Sequence, residues 1–458
     1  MAQALGGERR MVGPMRGGRK TLVIIGLALA AFAVGSLGLL RSGRSDTPAP
    51  PAAGADPSLQ LHPLVGAQSL AQVIAGLQAR LRVLPQDWQS FASLGSAYVQ
   101  EARITADPSY YPKAQEALQR SLSIQPRGNF PALTGLGALA LARHDFSGAL
   151  ALGQRAMALN PYNAAIRGVI GDAYIELGRY PEAFGAFQKM IDLRPNLSSW
   201  ARVSYARELD GDVAGARQAM ETALQESGSA EDRAWVLNQL GELAFNGGDL
   251  AGAARFYGES HQVDPAFVPP LAGLAKVTAA RGDLTAAISQ YVAVTARYPL
   301  PEYVVALADL YTVTRQPSLL QRQVGLVRAE ETLFKANGVN VDLEIALFDA
   351  DHHLELSQGL AAARAEWGRR HSIHVADALS WELYANGRPG EAMTYANQAL
   401  HLGTRSALFH FHRAMIERAL GQTGAARADL EAVQAINPHF STLWAAPAEQ
   451  FLARLKAA

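Results

Sequence analysis

The sequence contains no cysteine. Disulfide staples, thiolate metal ligands, cysteine nucleophiles and a lipid-modified N-terminal cysteine are therefore all excluded. Aromatic residues make up only 8% of the 458-residue chain although 49% is hydrophobic. That offers few large anchors for a thick globular core and suits thin helical layers. Net charge is absent too, 41 basic residues balancing 41 acidic ones, so the basic footprint of a nucleic-acid binder is missing and no such partner is expected. Lysine is scarce, six residues against 35 arginines; with abundant alanine and glycine this is the usage of a GC-rich bacterial genome and carries no mechanism. No HExxH, GxSxG or Walker-type phosphate loop occurs. Gly135, Leu136 and Gly137 form a fragment of a dinucleotide-binding turn, but they fall within a helical pattern and read as packing. Neither a cofactor nor an enzymatic activity is expected.

Long hydrophobic runs are absent except near the start. Residues 1–20 carry Arg9, Arg10, Arg16, Arg19 and Lys20 against the single acid Glu8, and lead into twenty uncharged residues, 21–40. That length spans a bilayer core of about 30 Å as a helix. Five basic residues before the run against Arg41 and Arg44 after it favour an N-terminus in the cytoplasm and the remainder outside it. A cleaved signal peptide is the competing reading, with Ala52 to Ala55 as a cleavage site, but its apolar core is usually about 7 to 15 residues and ends at that site. Residues 41–63 are rich in Pro, Ala and Gly without an apolar period and read as an extended spacer.

The rest of the chain is organised by repetition. Residues 160–195, NPYNAAIRGVIGDAYIELGRYPEAFGAFQKMIDLRP, hold Ile170, Tyr174 and Leu177 at helical spacing, a break at Gly178 and Arg179, Pro181 at a first helical turn, and Ala183, Phe187, Met190 and Ile191 at helical spacing again. This predicts an αα-hairpin in which Gly171 and Ala183 are small where the helices approach, while Tyr174 and Phe187 fill the space beside them. Successive prolines at 161 and 195, and at 265 and 299, are 34 residues apart. Related units are marked by Leu94, Gly95, Tyr98 and Ala114, with about seven extra residues in the turn; by Leu136, Gly137 and Ala149; by Ser204, Gly211 and Ala216; by Leu240, Gly241, Ala253 and Tyr257; and by Leu274, Ala275 and Tyr291. The pattern fades over 303–370 and recovers around Gly387, Ala392, Gly421 and Ala426. Residues 64–440 thus read as about ten repeats. Residues 441–458, with Leu443, Trp444, Phe451 and Leu455, read as an amphipathic helix closing the last apolar face.

This pattern of Ile170, Gly171, Tyr174, Ala183, Phe187 and Pro195 resembles the tetratricopeptide repeat family, with departures at Arg167 and Met190. The resemblance implies an all-α solenoid of antiparallel hairpins, here preceded by one transmembrane helix. It also implies that first helices line a concave surface whose outward residues bind a protein or peptide. Carried onto this chain, that lining is Asp172, Tyr205, Trp235, Asn238, Glu242, Asp309, His374, Asp377, Trp381, Tyr384, Met415 and Arg418. For Trp235 and Trp381 the competing expectation is burial between repeats. A second polar cluster joins Asp349 and His353, i and i+4 on a predicted helix, with His371, His374 and Asp377. Such spacing can hold a divalent metal, but solvated helix surface is the commoner outcome and no metal is expected. The expected function is a membrane-anchored, non-enzymatic scaffold; the alternative is an accessory subunit of a transporter or secreted enzyme that contacts substrate or a metal directly.

Overall fold

The computed structural model describes residues 70–105 and 107–457. The basic start, the apolar run 21–40 and the spacer 41–63, with the membrane reading that rests on them, lie outside the described residues. Among the described residues no helix is long and apolar enough to cross a membrane.

The described chain is a succession of 22 helices without a strand. A lone helix, α1 (Leu70–Val83), is followed by ten hairpins and a closing helix. The hairpins are α2 (Trp88–Thr105) with α3 (Tyr110–Ile124), α4 (Phe130–Ala142) with α5 (Phe146–Leu159), α6 (Ala164–Glu176) with α7 (Tyr180–Leu193), α8 (Leu197–Leu209) with α9 (Val213–Gln225), and α10 (Ala230–Asn246) with α11 (Leu250–Val263). They continue as α12 (Pro269–Ala280) with α13 (Leu284–Arg297), α14 (Pro301–Val313) with α15 (Pro317–Ala336), α16 (Asp342–His352) with α17 (Leu356–Arg369), α18 (Ile373–Ala385) with α19 (Pro389–Ala399), and α20 (Ala407–Ala419) with α21 (Thr423–Ile436). The last helix is α22 (Ala445–Ala457). Residues 303–370, where the sequence pattern fades, also fold as hairpins.

Local chemistry sets the helix ends. Asn129, Asn163, Asn196 and Ser229 begin first helices by accepting a backbone N–H three residues on, and Asp145, Asp212, Asp249 and Asp283 do the same for second helices. Between them the chain reverses through a left-handed residue, Gly178 at φ 76° and Gly248 at φ 74° being typical. His144 and Arg315 occupy the same place in their turns at φ 61° and 56°.

Hairpin packing is a small residue facing a large one. A Cβ at Gly171 would fall inside the Phe187 ring, one at Gly241 inside the Tyr257 ring, and one at Gly95 on the Leu118 side chain. The first two pairs are sixteen residues apart in sequence and the third 23; the sequence pattern put the seven extra residues in the α2–α3 turn, but most of them lengthen α2, which has 18 residues against 13 in α6. Tyr257 also meets Gly273 of the next hairpin, so one ring fills the gap within a repeat and between repeats.

The solenoid closes on itself. Tyr298 donates to the carbonyls of Arg103 and Ile104, Ile373 N–H donates to the Tyr180 hydroxyl at 2.7 Å, Thr404 donates to the Leu209 carbonyl, and Asn437 donates to the Phe245 carbonyl at 2.9 Å. Arg370 pairs with Glu176, and His144 meets the Asn340 carbonyl. These side-chain contacts all join residues 192 to 196 apart. A constant offset means one superhelical turn takes between five and six repeats of about 34 residues, after which the next turn lies on the first. At the seam, the reversal or first-helix end in a hairpin of the first turn meets the loop between hairpins of the second. Val339 and Val341 share a core with α1 and α2, and Phe409, Ile373 and Ala399 share one with α6, α7 and α8. A Cβ at Gly178 would collide with the His371 backbone, so that glycine is needed for close approach as well as for its φ. At the end of the chain Ala448 and Leu452 of α22 pack on Leu430 and Val433 of α21.

Candidate binding lumen

Winding the hairpins through almost two turns leaves a cavity of about 2780 Å³ along the inside. Pockets that take small molecules measure roughly 300 to 1,000 Å³; this one is of a size for a length of chain. Its walls are the inner faces of first helices, one stripe at i, i+3, i+4 and i+7 on each. On α10 the stripe is Trp235, Asn238, Gln239 and Glu242; on α12 it is Pro269, Ala272, Gly273 and Lys276; on α14 it is Glu302, Val305, Ala306 and Asp309; on α16 it is Glu344, Leu347, Phe348 and Asp351. Glu330 and Phe334 reach in from α15, α1 lines one part, and residues 438–447 with α22 line another.

Charges on these walls are partly tied to one another. Lys276 Nζ lies 2.5 Å from Glu242, whose other oxygen accepts from the Tyr257 hydroxyl at 2.7 Å. Asp309 meets His352 at 3.0 Å, while burial pushes its carboxyl up to about 6. Asp351 Oδ1 accepts both indole N–H groups that approach it, from Trp381 at 2.9 Å and from Trp444 at 2.8 Å, which fixes the start of α22 against the second turn. Enclosure by the lumen walls, reinforced by Glu242, pushes the Glu302 carboxyl up although its side chain opens onto the cavity.

Of the twelve residues expected on the concave surface, Trp235, Asn238, Glu242, Asp309 and His374 line the cavity. The other seven are placed differently. Asp172 is buried in a bidentate pair with Arg202 at 2.6 and 2.8 Å. Tyr205 sits in a small separate crevice with Glu208. Asp377 bonds His412 at 3.0 Å, and Met415 is in the core under α22. Arg418 lies over the Phe451 ring at 3.9 Å. Trp381 is 3% exposed and stacked between His412 and Tyr384, at ring separations of 4.0 and 5.0 Å. It is a packing residue, because the closing helix α22 and the stacked second turn cover the surface an open solenoid would leave free there.

The i, i+4 geometry expected of Asp349 and His353 does not form. The helix ends at His352, and His353 takes the left-handed conformation at φ 54°. Asp349 is drawn instead to Arg328. Among the described residues no group of three or more His, Asp and Glu side chains is arranged to hold a metal.

Sequence reasoning missed Glu302, Glu330, Glu344 and Asp351. A signal existed: advancing the α10 stripe by one repeat from Glu242 reaches Lys276, and by another reaches Asp309. It fails at the next step because α15 has 20 residues where most second helices have 13 to 15. That length shifts α16 out of register with the repeat.

Models of the tetratricopeptide repeat match residues 140–207 and 378–439, so these stretches are tetratricopeptide repeats. Among solved structures, a thermophilic TPR protein from Thermus thermophilus is 20% identical, with a TM-score of 0.37, over 42% of this chain and 98% of its own. A tetratricopeptide repeat protein from Parabacteroides merdae is 14% identical, at 0.34, over 57% and 99%. Yeast Tom70 is 12% identical, at 0.32, over 85% of each chain. No curated protein matches the sequence. The fold is a tetratricopeptide-type solenoid, a scaffold of the kind typical of protein–protein interaction.

Proposed function

We propose that the chain is a non-enzymatic scaffold that holds a segment of a partner protein within its lumen. Residues 21–40 tether it to a membrane, with the N-terminus in the cytoplasm and the repeats on the other side. The observation that carries this reading is the cavity of about 2780 Å³ lined by the inner stripes of successive first helices. Its walls mix the half-buried apolar side chains of Val305 and Phe334 with amides and carboxylates, the combination that recognises polypeptide.

A photo-crosslinking residue placed at Val305, on the lumen wall, should capture a defined partner in membranes. The same residue at Arg217, on the exposed face of α9, should capture none. Equal capture at both positions would reject the lumen as the binding surface. For the tether, protease added to intact spheroplasts should digest the repeats; protection until lysis would reverse the orientation.

A further inference from the structure

The lumen is charged although the chain is not. Thirteen Asp and Glu side chains line it against six Arg and Lys, in a protein whose 41 basic and 41 acidic residues cancel. Several of those carboxylates are already answered by Lys276, His352 or the two indoles. Two are not: Glu330 and Glu344, on the consecutive helices α15 and α16, each keep a buried carboxylate oxygen, Oε2, that no donor reaches. Burial alone pushes Glu330 up to about 8, as befits a carboxylate with no cation beside it.

Two amides on the same walls share this condition. Gln100 is 1% exposed and Asn238 5% exposed, and Gln100 Oε1 and Asn238 Oδ1 have no hydrogen-bond donor. A buried polar atom without a partner is destabilising, a condition a folded chain rarely leaves standing unless something else supplies the partner. Here the unmet atoms are all acceptors, on the inner surface of one cavity too large for a metabolite. The two carboxylates keep this character whichever way the amides are turned.

Resting on the reading of the lumen as a binding channel, we propose that its occupant is a cationic stretch of the partner polypeptide. Its Lys and Arg side chains and backbone N–H groups supply the donors that Glu330, Glu344, Gln100 and Asn238 lack. Apolar side chains between the cations would lie on Val305 and Phe334.

The test uses the full-length chain in detergent and fluorescent dodecapeptides in which Val alternates with Lys, Glu or Gln. The Lys peptide should bind, crosslink at position 305, and weaken as salt is raised. Glu330→Gln combined with Glu344→Gln should lower its affinity roughly tenfold, a loss typical of two partly buried charge pairs. Glu221→Gln combined with Glu259→Gln, on the exposed outer faces of α9 and α11, should leave it unchanged. Glu330→Gln alone should also weaken the Lys peptide yet melt no lower than wild type, since that buried acid has no cation beside it; this separates lost binding from lost folding. Crosslinking of the Glu or Gln peptide at 305 as strong as that of the Lys peptide would overturn the charge assignment and leave the scaffold reading standing. So would Lys-peptide binding that ignores the lumen variant. If no peptide of any charge reaches position 305, both readings fall.

Discussion

The regular hairpins between residues 160 and 299 and the irregular ones between 301 and 370 have the same architecture and are held together differently. In the first group the contact between helices is steric, a glycine under an aromatic ring, as Gly171 is under Phe187 and Gly241 under Tyr257. In the second the helices of a hairpin meet through aliphatic side chains, Val304 and Ala308 with Val327 in one and Ala346 with Leu360 and Ala363 in the other, and ion pairs tie one hairpin to the next. Arg328 and Lys335 of α15 hold Asp349 and Asp342 of α16, Asp342 also meets Arg369 of α17, and Arg370, just past α17, reaches Glu176 across the seam. The irregular hairpins also carry much of what is not hairpin packing: the carboxylates Glu302, Asp309, Glu330, Glu344 and Asp351 on the lumen wall, and loops 337–341 and 370–373 at the seam. A repeat pattern weakens where residues answer to a third surface besides the hairpin and its neighbour.

If that contrast is right, the gravest damage comes from the ionic side at the seam. Arg370 is 4% exposed, bonded to Glu176 and Glu366, and lies over the Phe146 ring at 4.6 Å. Arg370→Ala would strand the buried Glu176 carboxylate and leave Glu366 to Arg369 alone, at a cost of about 3 to 5 kcal/mol. Chemical denaturation should show that loss; a change below about 1 kcal/mol would mean the turns do not stack through this triad. Trp381→Ala should cost a similar 3 to 5 kcal/mol, the typical penalty for emptying a large buried ring site. Its readout is stability with partner affinity measured on the same variant: intact folding with weakened binding would return Trp381 to the binding surface.

On the steric side, Gly171→Leu forces a side chain into the space of Phe187 and should cost about 1 to 3 kcal/mol. The loss should be confined to neighbouring repeats, because each hairpin packs chiefly on the next. Hydrogen exchange that accelerates equally across α18 to α21 would show that the seam passes the damage between turns.

The smallest effect is a matter of pH. Burial, aided by Asp349 and Asp351, pushes Glu382 up to about 8, opposed by the bond from Asn386. A carboxyl that holds its proton more tightly folded than unfolded contributes stability below its ordinary pKa of 4.5 and loses it as pH rises through about 8. Glu382→Gln should therefore gain stability over the native chain, the gain growing between about pH 4.5 and 8. A difference between the two melting curves that is flat across that range would show the carboxyl stays charged throughout.

Much of this protein could be read from residue order. The 34-residue period, the small residues at 171 and 241, the breaks at Gly178 and Gly248 and the amphipathic tail are local signals. Helix formation and hairpin closure depend on neighbours a few to some twenty residues away, so their requirements are written at fixed spacings. Of the residues that reading put on the concave face, Trp235, Asn238, Glu242, Asp309 and His374 line the lumen, while Trp381, for which burial between repeats was the competing expectation, is buried.

The placement of the second turn on the first depended on something else. It arises from a small rotation per hairpin summed over between five and six repeats, and no spacing within one repeat records that sum. Only the folded chain brings Glu176 to Arg370 and Tyr180 to Ile373, and sets Trp444 on Asp351 so that Trp381 is covered. Only there do acids scattered from 302 to 351 face a common space with too few donors. Sequence determined the unit, because its energetics are local; tertiary structure decided the pitch, and with it which polar residues meet solvent, one another or an occupant.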